Sequence, residues 1–303
     1  MSEALLGTIR RCTGCGAAVV FDGPSLSLSC SYCDGPMVDE DRAAATIDAI
    51  VPFAIPERGA LERIRVHLDR QRWAPRQLRE LRVHARGLRG VLVPFYAYDG
   101  VVRSRWRGRV GVDWTRTEEY QDEQGKTRTR EVTETEWLPA KGSAAVDIDD
   151  CVVSASVGLP AHEANPLEPF DLGRAVGFDP RLLSGFEAEL ASISAAEAEP
   201  LAIARIRDAE AARVAREQLP GDRNRLDDIT SEVSLRSRRL VLLPVWIASY
   251  RHGDVHLRVL VNGQTGEVVG RVPIDRVKLG LVVLAWVTVS VAIAWWLHRG
   301  GPT

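Results

Sequence analysis

Apolar positions along this chain recur with the periods of strands and helices in the body and with no polar interruption near the C-terminal end. Close to the start, Ala17–Phe21 and the alternating Leu26-Ser27-Leu28-Ser29 read as two short strands turned by Asp22-Gly23-Pro24. After an Ala-rich connector, Ile50–Ile55 reads as a strand, and Pro56-Glu57 opens a helix with Leu61, Ile64 and Leu68 on one stripe. An apolar strand over Arg89–Tyr98 feeds an alternating one over Val101–Val112. The polar stretch Tyr120–Arg130 is a hairpin loop and Val132–Leu138 its return strand.

The second half repeats this plan. A helix is predicted from about Glu197 to Gln218, with Pro200 in its first turn and Pro220-Gly221 stopping it. Ser231–Leu243 leads into the apolar Leu243–Tyr250, a turn at His252-Gly253-Asp254 joins this to Val255–Val261, and Asn262-Gly263 with Thr265-Gly266 makes the next reversal. Val91-Leu92-Val93-Pro94-Phe95-Tyr96 and Val241-Leu242-Leu243-Pro244-Val245-Trp246 match almost position by position, each after a helix and before a hairpin. The expected fold class is therefore α+β: an N-terminal zinc ribbon (8–40), two related units of helix plus antiparallel sheet (50–150 and 191–275) joined by a turn-rich segment (151–190), and a C-terminal transmembrane helix (279–297).

That last element rests on Leu279–Leu297, LGLVVLAWVTVSVAIAWWL, which contains no ionisable residue. As a helix it would span roughly 28 Å, close to a bilayer's hydrocarbon core. Trp295 and Trp296 lie at its far end, where indoles favour the interface. Arg271, Arg276 and Lys278 outnumber His298 and Arg299, and Met1–Arg11 lacks the apolar core of a signal peptide. The expectation is a single-pass protein of the cell inner membrane, bound to the membrane through Leu279–Leu297, with its N-terminal bulk cytoplasmic.

The cysteines carry the candidate chemistry. Cys12 and Cys15 form one C-x-x-C, Cys30 and Cys33 another, on either side of the predicted hairpin. Each C-x-x-C places two thiolates on one side of a knuckle, and tetrahedral Zn(II) takes four such soft ligands. Disulfides would need an oxidising compartment, and a redox C-x-x-C belongs at a helix start in a βαβ setting rather than on a hairpin. One structural Zn(II) on Cys12, Cys15, Cys30 and Cys33 follows, with no coordination position left for catalysis.

Charge narrows the partners. The net charge of -2 excludes a protein that is basic throughout. Within residues 1–40, Arg10 and Arg11 face Glu3, Asp22, Asp34, Asp39 and Glu40, the wrong sign for phosphate. From Glu57 to Gly90, ten arginines outnumber four acids, which reads as an arginine-rich helix face laced with local salt bridges or as a surface for anionic lipid or an acidic partner. Catalytic signatures are missing from the text. Gly125-Lys126-Thr127 lacks the first glycine of a phosphate loop, and His162-Glu163 lacks the second histidine of H-E-x-x-H. Asp147, Asp149 and Asp150 read as a solvated acidic run, and Cys151 as a small core residue.

Taken together, the C-x-x-C-G ribbon, Val51-Pro52-Phe53, Arg89–Phe95, Glu168-Pro169-Phe170-Asp171-Leu172, Leu243–Tyr250 and Val261-Asn262-Gly263-Gln264-Thr265-Gly266-Glu267-Val268 carry a resemblance. The chain resembles a bacterial family of zinc-ribbon, membrane-anchored proteins of poorly defined function, whose members are often labelled primosomal or replication proteins or helicases. It departs from those labels in having no ATPase motif. The resemblance implies an accessory role in membrane-associated complexes of the envelope-stress or flotillin-like kind. The expected function is a non-enzymatic, membrane-anchored zinc-ribbon adaptor docking partner proteins at the cytoplasmic membrane face. The alternative is a membrane-tethered nucleic-acid-binding protein using the arginines of 57–90.

Overall fold

Pro56 fixes an extended entry and the helix α1 (Glu57–Arg70) begins at the next residue. Ala60, Ile64 and Leu68 are its buried stripe, one turn apart, with Leu61 partly covered beside them. The second predicted helix is α3 (Ala195–Arg213), preceded by the single turn α2 (Ala161–Ala164). Ser194 starts α3 with a capping box, its hydroxyl accepting from Glu197 N while the Glu197 carboxylate accepts from Ser194 N. A π-helical turn, Val214–Gln218, carries the chain on towards Pro220-Gly221.

This computed structural model describes residues 3–4, 8–12, 14–21, 30–33, 37–39, 46–71, 87–121, 125–179, 182, 186–252, 255–270, 284–291 and 293–295. Strands among them are β1 (Glu3–Ala4), β2 (Thr8–Cys12), β3 (Ala18–Phe21), β4 (Met37–Asp39), β5 (Thr46–Ile47), β6 (Ala49–Ile50), β7 (Leu88–Gln121), β8 (Thr127–Ser154), β9 (Val176–Gly177), β10 (Glu187–Glu189), β11 (Arg223–His252), β12 (Val255–Asn262) and β13 (Val268–Gly270). All but β1 and β5 join one mixed sheet, in the order β13-β12-β11-β7-β10-β3-β2-β4, with β8 beside β7, the short β6 beside β11, and β9 beside β6.

The fold expectation needs correction on two counts. First, the sheet is mixed and takes in the ribbon. Strands β10 and β7 pair in parallel through Glu187↔Val91 and Ala188↔Leu92, as do β11 and β6 through Val241↔Ala49 and Leu242↔Ile50. The ribbon strands β2, β3 and β4 join the same sheet because β10 pairs with β3 on one side and β7 on the other. Second, no helix among the described residues is long and apolar enough to cross a membrane. Within 279–297 the described helical residues are 284–291 and 293–295, and the rest of that stretch lies outside the described residues. The lack of such a helix among the described residues stands against a span of the roughly 30 Å hydrocarbon core by this segment. The transmembrane helix, the single-pass topology and the inner-membrane location expected from Leu279–Leu297 fall with it. An uncharged text measures partitioning, not helix length, and the β-branched valines of this segment are poorer helix formers than leucine.

The chain divides into two compact units built from interleaved segments. Unit 1 comprises Met1–Phe95, Ser154–Ser192 and Val241–Thr303; unit 2 comprises Tyr96–Val153 and Ile193–Leu240. In unit 1, α1 packs Ala60, Ile64 and Leu68 on Leu88, Trp246, Ala248, Val259 and Val261. Phe53 stacks on Phe186 at 4.2 Å and tilts against Trp246 at 4.9 Å. The Trp246 indole N–H donates to the Ile55 carbonyl at 2.8 Å. In unit 2, Trp106, Val214 and Leu219 form the buried centre, with Val110, Ala140, Leu226 and Ile229 around it. Glu210, on the buried face of α3, accepts from Ser104 Oγ at 2.5 Å and from Arg213 at 2.7 Å. The Arg213 bond holds its carboxyl below the usual range.

Candidate metal centre

Two turns in unit 1 bring the four cysteines together. The first follows β2. Gly16 N donates to Cys12 O at 3.0 Å, and Cys12 N returns to Ala17 O at 2.8 Å. Gly16 sits at φ +77°, a left-handed conformation that costs glycine little. Gly14 is constrained by space instead, since a Cβ there would lie 3.3 Å from Cys33 Sγ and 3.6 Å from Cys12 Sγ. The second turn, Ser31–Cys33, follows Cys30 directly. The predicted strand over Leu26–Ser29 and the turn at Asp22-Gly23-Pro24 lie outside the described residues.

The sulfur atoms of Cys12, Cys15, Cys30 and Cys33 all lie within 4.8 Å of one another and could hold a metal ion. Cys12 approaches Cys33 to 3.4 Å and Cys15 approaches Cys30 to 3.5 Å, each contact joining one knuckle to the other. These separations are far beyond a disulfide bond of about 2.05 Å. They are near the edge of about 3.8 Å that a sulfur tetrahedron has at a Zn–S distance of about 2.3 Å. Backbone donors complete the fit: Gly14 N points at Cys12 Sγ and Tyr32 N at Cys30 Sγ, both at 3.3 Å. Such N–H···S contacts stabilise thiolate and orient it. Among the protein's groups alone, the bond from Cys15 and burial push the Cys30 thiol well above its ordinary value and disfavour the thiolate that a bound metal would stabilise.

Sequence reasoning missed what holds the second knuckle. Ser31 Oγ donates to Glu187, the Tyr32 hydroxyl donates to Glu189, and both acceptors sit on β10. Ser249 Oγ donates to the Ser31 carbonyl at 3.1 Å. Glu187 also meets Arg89 at 3.5 Å, and Glu189 accepts from Ser156 Oγ at 2.5 Å. Burial raises both carboxyls, Glu189 to about 7. The Arg258 guanidinium lies 5.7 Å over the Tyr32 ring while donating to Glu163 and, at 2.7 Å, to Gly158 O. Beside this network is a cavity of about 510 Å³ lined by Tyr32, Cys33, His162, Glu163, Ser249 and Arg258. The only sign of this arrangement in the text is the Glu-Ala-Glu of β10, which places two carboxylates on one face of a strand.

The other candidates do not assemble into a site. Asp147 pairs with Arg236 at 2.9 Å and Asp150 with Arg239 at 2.6 Å, while Asp149 stands beside them on β8. Gly125, at φ +75°, turns the chain into β8 rather than into a helix. Glu163 is the acceptor for Arg258, and Cys151 is half-buried. Of the arginines between 57 and 90, Arg65 stands between Glu62 at 3.7 Å and Asp69 at 3.9 Å, and residues 72–86 lie outside the described residues.

No family model matches the chain, and no solved structure matches it. The chain is similar to an uncharacterized protein of Bacillus subtilis (strain 168), YdjG, at 26% identity over 246 residues. The match covers 78% of this chain and 65% of the relative, so the chain spans slightly less than two thirds of that protein's length.

Proposed function

We propose that this chain is a non-enzymatic zinc-ribbon adaptor, with Cys12, Cys15, Cys30 and Cys33 holding one structural Zn(II) and the ribbon presenting a surface to partner proteins. The observation that carries the reading is the closed sulfur set, four ligand atoms within 4.8 Å of one another from two knuckles. Four protein ligands leave no position at the metal for water or substrate, which suits a structural role. When bound, the metal supplies folding free energy and no reaction chemistry. The protein's own residues do the rest. Gly14 N and Tyr32 N orient two sulfurs, while Glu187 and Glu189 tie the second knuckle to β10. Metal occupancy and the order of that part of unit 1 are thereby linked. The envelope-stress or flotillin-like setting of the partners is supported by the family resemblance alone.

Elemental analysis of the purified full-length chain should find about one zinc per molecule. Cys30→Ser should lose it together with the protection of β2 and β3 against hydrogen exchange. Protein that folds without zinc, or a Cys30→Ser chain that keeps it, overturns the metal assignment. The adaptor role is read separately, by crosslinking in cells. Partners captured by the native chain and lost with Cys30→Ser support it, and an identical set from both chains refutes it.

A further inference from the structure

We propose that β8 is a dimerisation edge: its segment Thr127–Trp137 pairs antiparallel with the same segment of a second copy, across a two-fold axis at Val132. Among the described residues β8 has one neighbour, β7, so the backbone N–H and C=O groups on its other side face no strand. An edge of this kind is a template for another strand unless something blocks it. Proteins usually blunt such edges with charged side chains, lysine above all, with proline or with a bulge; the run TRTREVTETEW has no lysine, proline or glycine, and the charges it does carry are of both signs. The blocking residues stand outside it, Gly125 and Lys126 before and Pro139 after. The segment is exposed from Thr127 to Glu131, half-buried at Val132, and exposed again at Thr133 and from Glu136 to Pro139.

The charges choose the partner. With period 2, Arg128, Arg130, Val132, Glu134 and Glu136 share one face of β8. An antiparallel two-fold at Val132 sets Arg130 opposite Glu134 of the second copy and Arg128 opposite its Glu136, twice over by symmetry. Val132 meets its own copy, and Thr129 meets Thr135 on the other face. Moving the axis to Glu131 opposes two glutamates, and moving it to Thr133 sets Val132 against Glu134. Only the axis at Val132 pairs every charge on that face with its opposite, and a strand so complementary to itself fits a second copy of this chain.

Existing ion pairs extend the pattern. Arg130 already meets Glu118 of β7 at 3.0 Å, and Glu134 meets Arg116 at 2.7 Å. Across the axis these become two lines of alternating sign, each running Glu118, Arg130, then Glu134 and Arg116 of the second copy. The Arg130–Glu118 and Arg116–Glu134 pairs stay in place.

Sedimentation equilibrium of the full chain, with circular dichroism and a urea-unfolding midpoint as checks of folding, tests the proposal. The native chain should be a dimer. Arg128→Glu and Glu136→Arg each place like charges across the axis and should weaken dimerisation by about tenfold or more. Combined in one chain they restore opposite charges and should recover the native affinity. Register is read by oxidation. Val132→Cys should crosslink to a dimer, since opposed Cβ atoms lie about 4.5–5.5 Å apart, whereas Thr135→Cys residues would be about 20 Å apart and should not. A monomer at the highest soluble concentration, a dimer indifferent to the single charge reversals, or equal crosslinking at both cysteine positions overturns it. None of these outcomes depends on the metal assignment.

Discussion

Glu189 offers a direct measurement of what the second knuckle rests on. Its carboxylate is completely buried on β10, accepting from Tyr32 and from Ser156 Oγ at 2.5 Å. The nearest cation, Arg258, is committed to Glu163 and the Gly158 carbonyl. Burial outweighs the two hydroxyls and raises the carboxyl from 4.5 to about 7. The folded chain therefore holds this proton more tightly than the unfolded chain does. The associated stability is fully present below pH 4.5 and is lost as the pH rises through about 7. At 1.36 kcal/mol for each unit, the loss amounts to about 3 kcal/mol by pH 8 and above. Glu189→Gln carries no charge at any pH and keeps an acceptor for Tyr32. It should match the native protein near pH 4.5 and exceed it by up to about 3 kcal/mol above pH 8. The assay is urea unfolding of both zinc-loaded proteins, followed by tryptophan fluorescence across this range. Only the difference between them is read, because proton uptake by released cysteines is common to both. A flat difference, or one that grows towards low pH, refutes the reasoning.

Two further substitutions test the packing by the same unfolding assay. Trp246→Phe keeps a ring against Phe53 and Phe186 but removes the N–H that Ile55 O accepts, and should cost about 1 kcal/mol, while Trp246→Ala should cost about 3–5 kcal/mol. Ser194→Ala removes the hydroxyl half of the α3 capping box and should cost about 1 kcal/mol, with little further loss when Glu197→Ala is added, because the two halves act together.

What was legible in the sequence was local. The C-x-x-C spacing located four cysteines whose sulfurs converge, and apolar spacing located α1 and α3 to within a few residues. What escaped was whatever depends on distant pairing. Strand β10 is three residues long and reads Glu-Ala-Glu, too short a text to announce a strand, yet it pairs with β3 on one side and β7 on the other. Its carboxylates are tolerable only because Ser31, Tyr32, Arg89 and Ser156 meet them, from 33 to 157 positions away. The two compact units escaped for the same reason, since contacts between remote segments define them. At the C-terminal end, hydropathy reported an apolar run correctly but carried no information on how long a helix it forms.

The matched segments of the two halves show how far such a text can be taken. Val91-Leu92 and Val241-Leu242 each accept a short parallel strand, β10 in one case and β6 in the other. The prolines that follow have no N–H to donate, and both offer their carbonyls to an incoming chain: Pro94 O accepts from Ala155 N at 2.9 Å, and Pro244 O from Gly263 N at 2.8 Å. The remaining motifs of the resemblance meet at the second of these places. Gly263 O accepts from Ala54 N and Ile55 N, just after Val51-Pro52-Phe53. Asn262 is buried, and its amide nitrogen donates to Leu167 O and Pro169 O while its amide oxygen accepts from Gln264 N and Thr265 N. Gln264 then brackets Asp171 through both of that residue's backbone groups. An aspartate at 262 could not make the two donations, and a serine could not make all four contacts. The closure of unit 1 around its turns accounts for these motifs, and the sulfur cluster, rather than the most distinctive text, carries the functional reading.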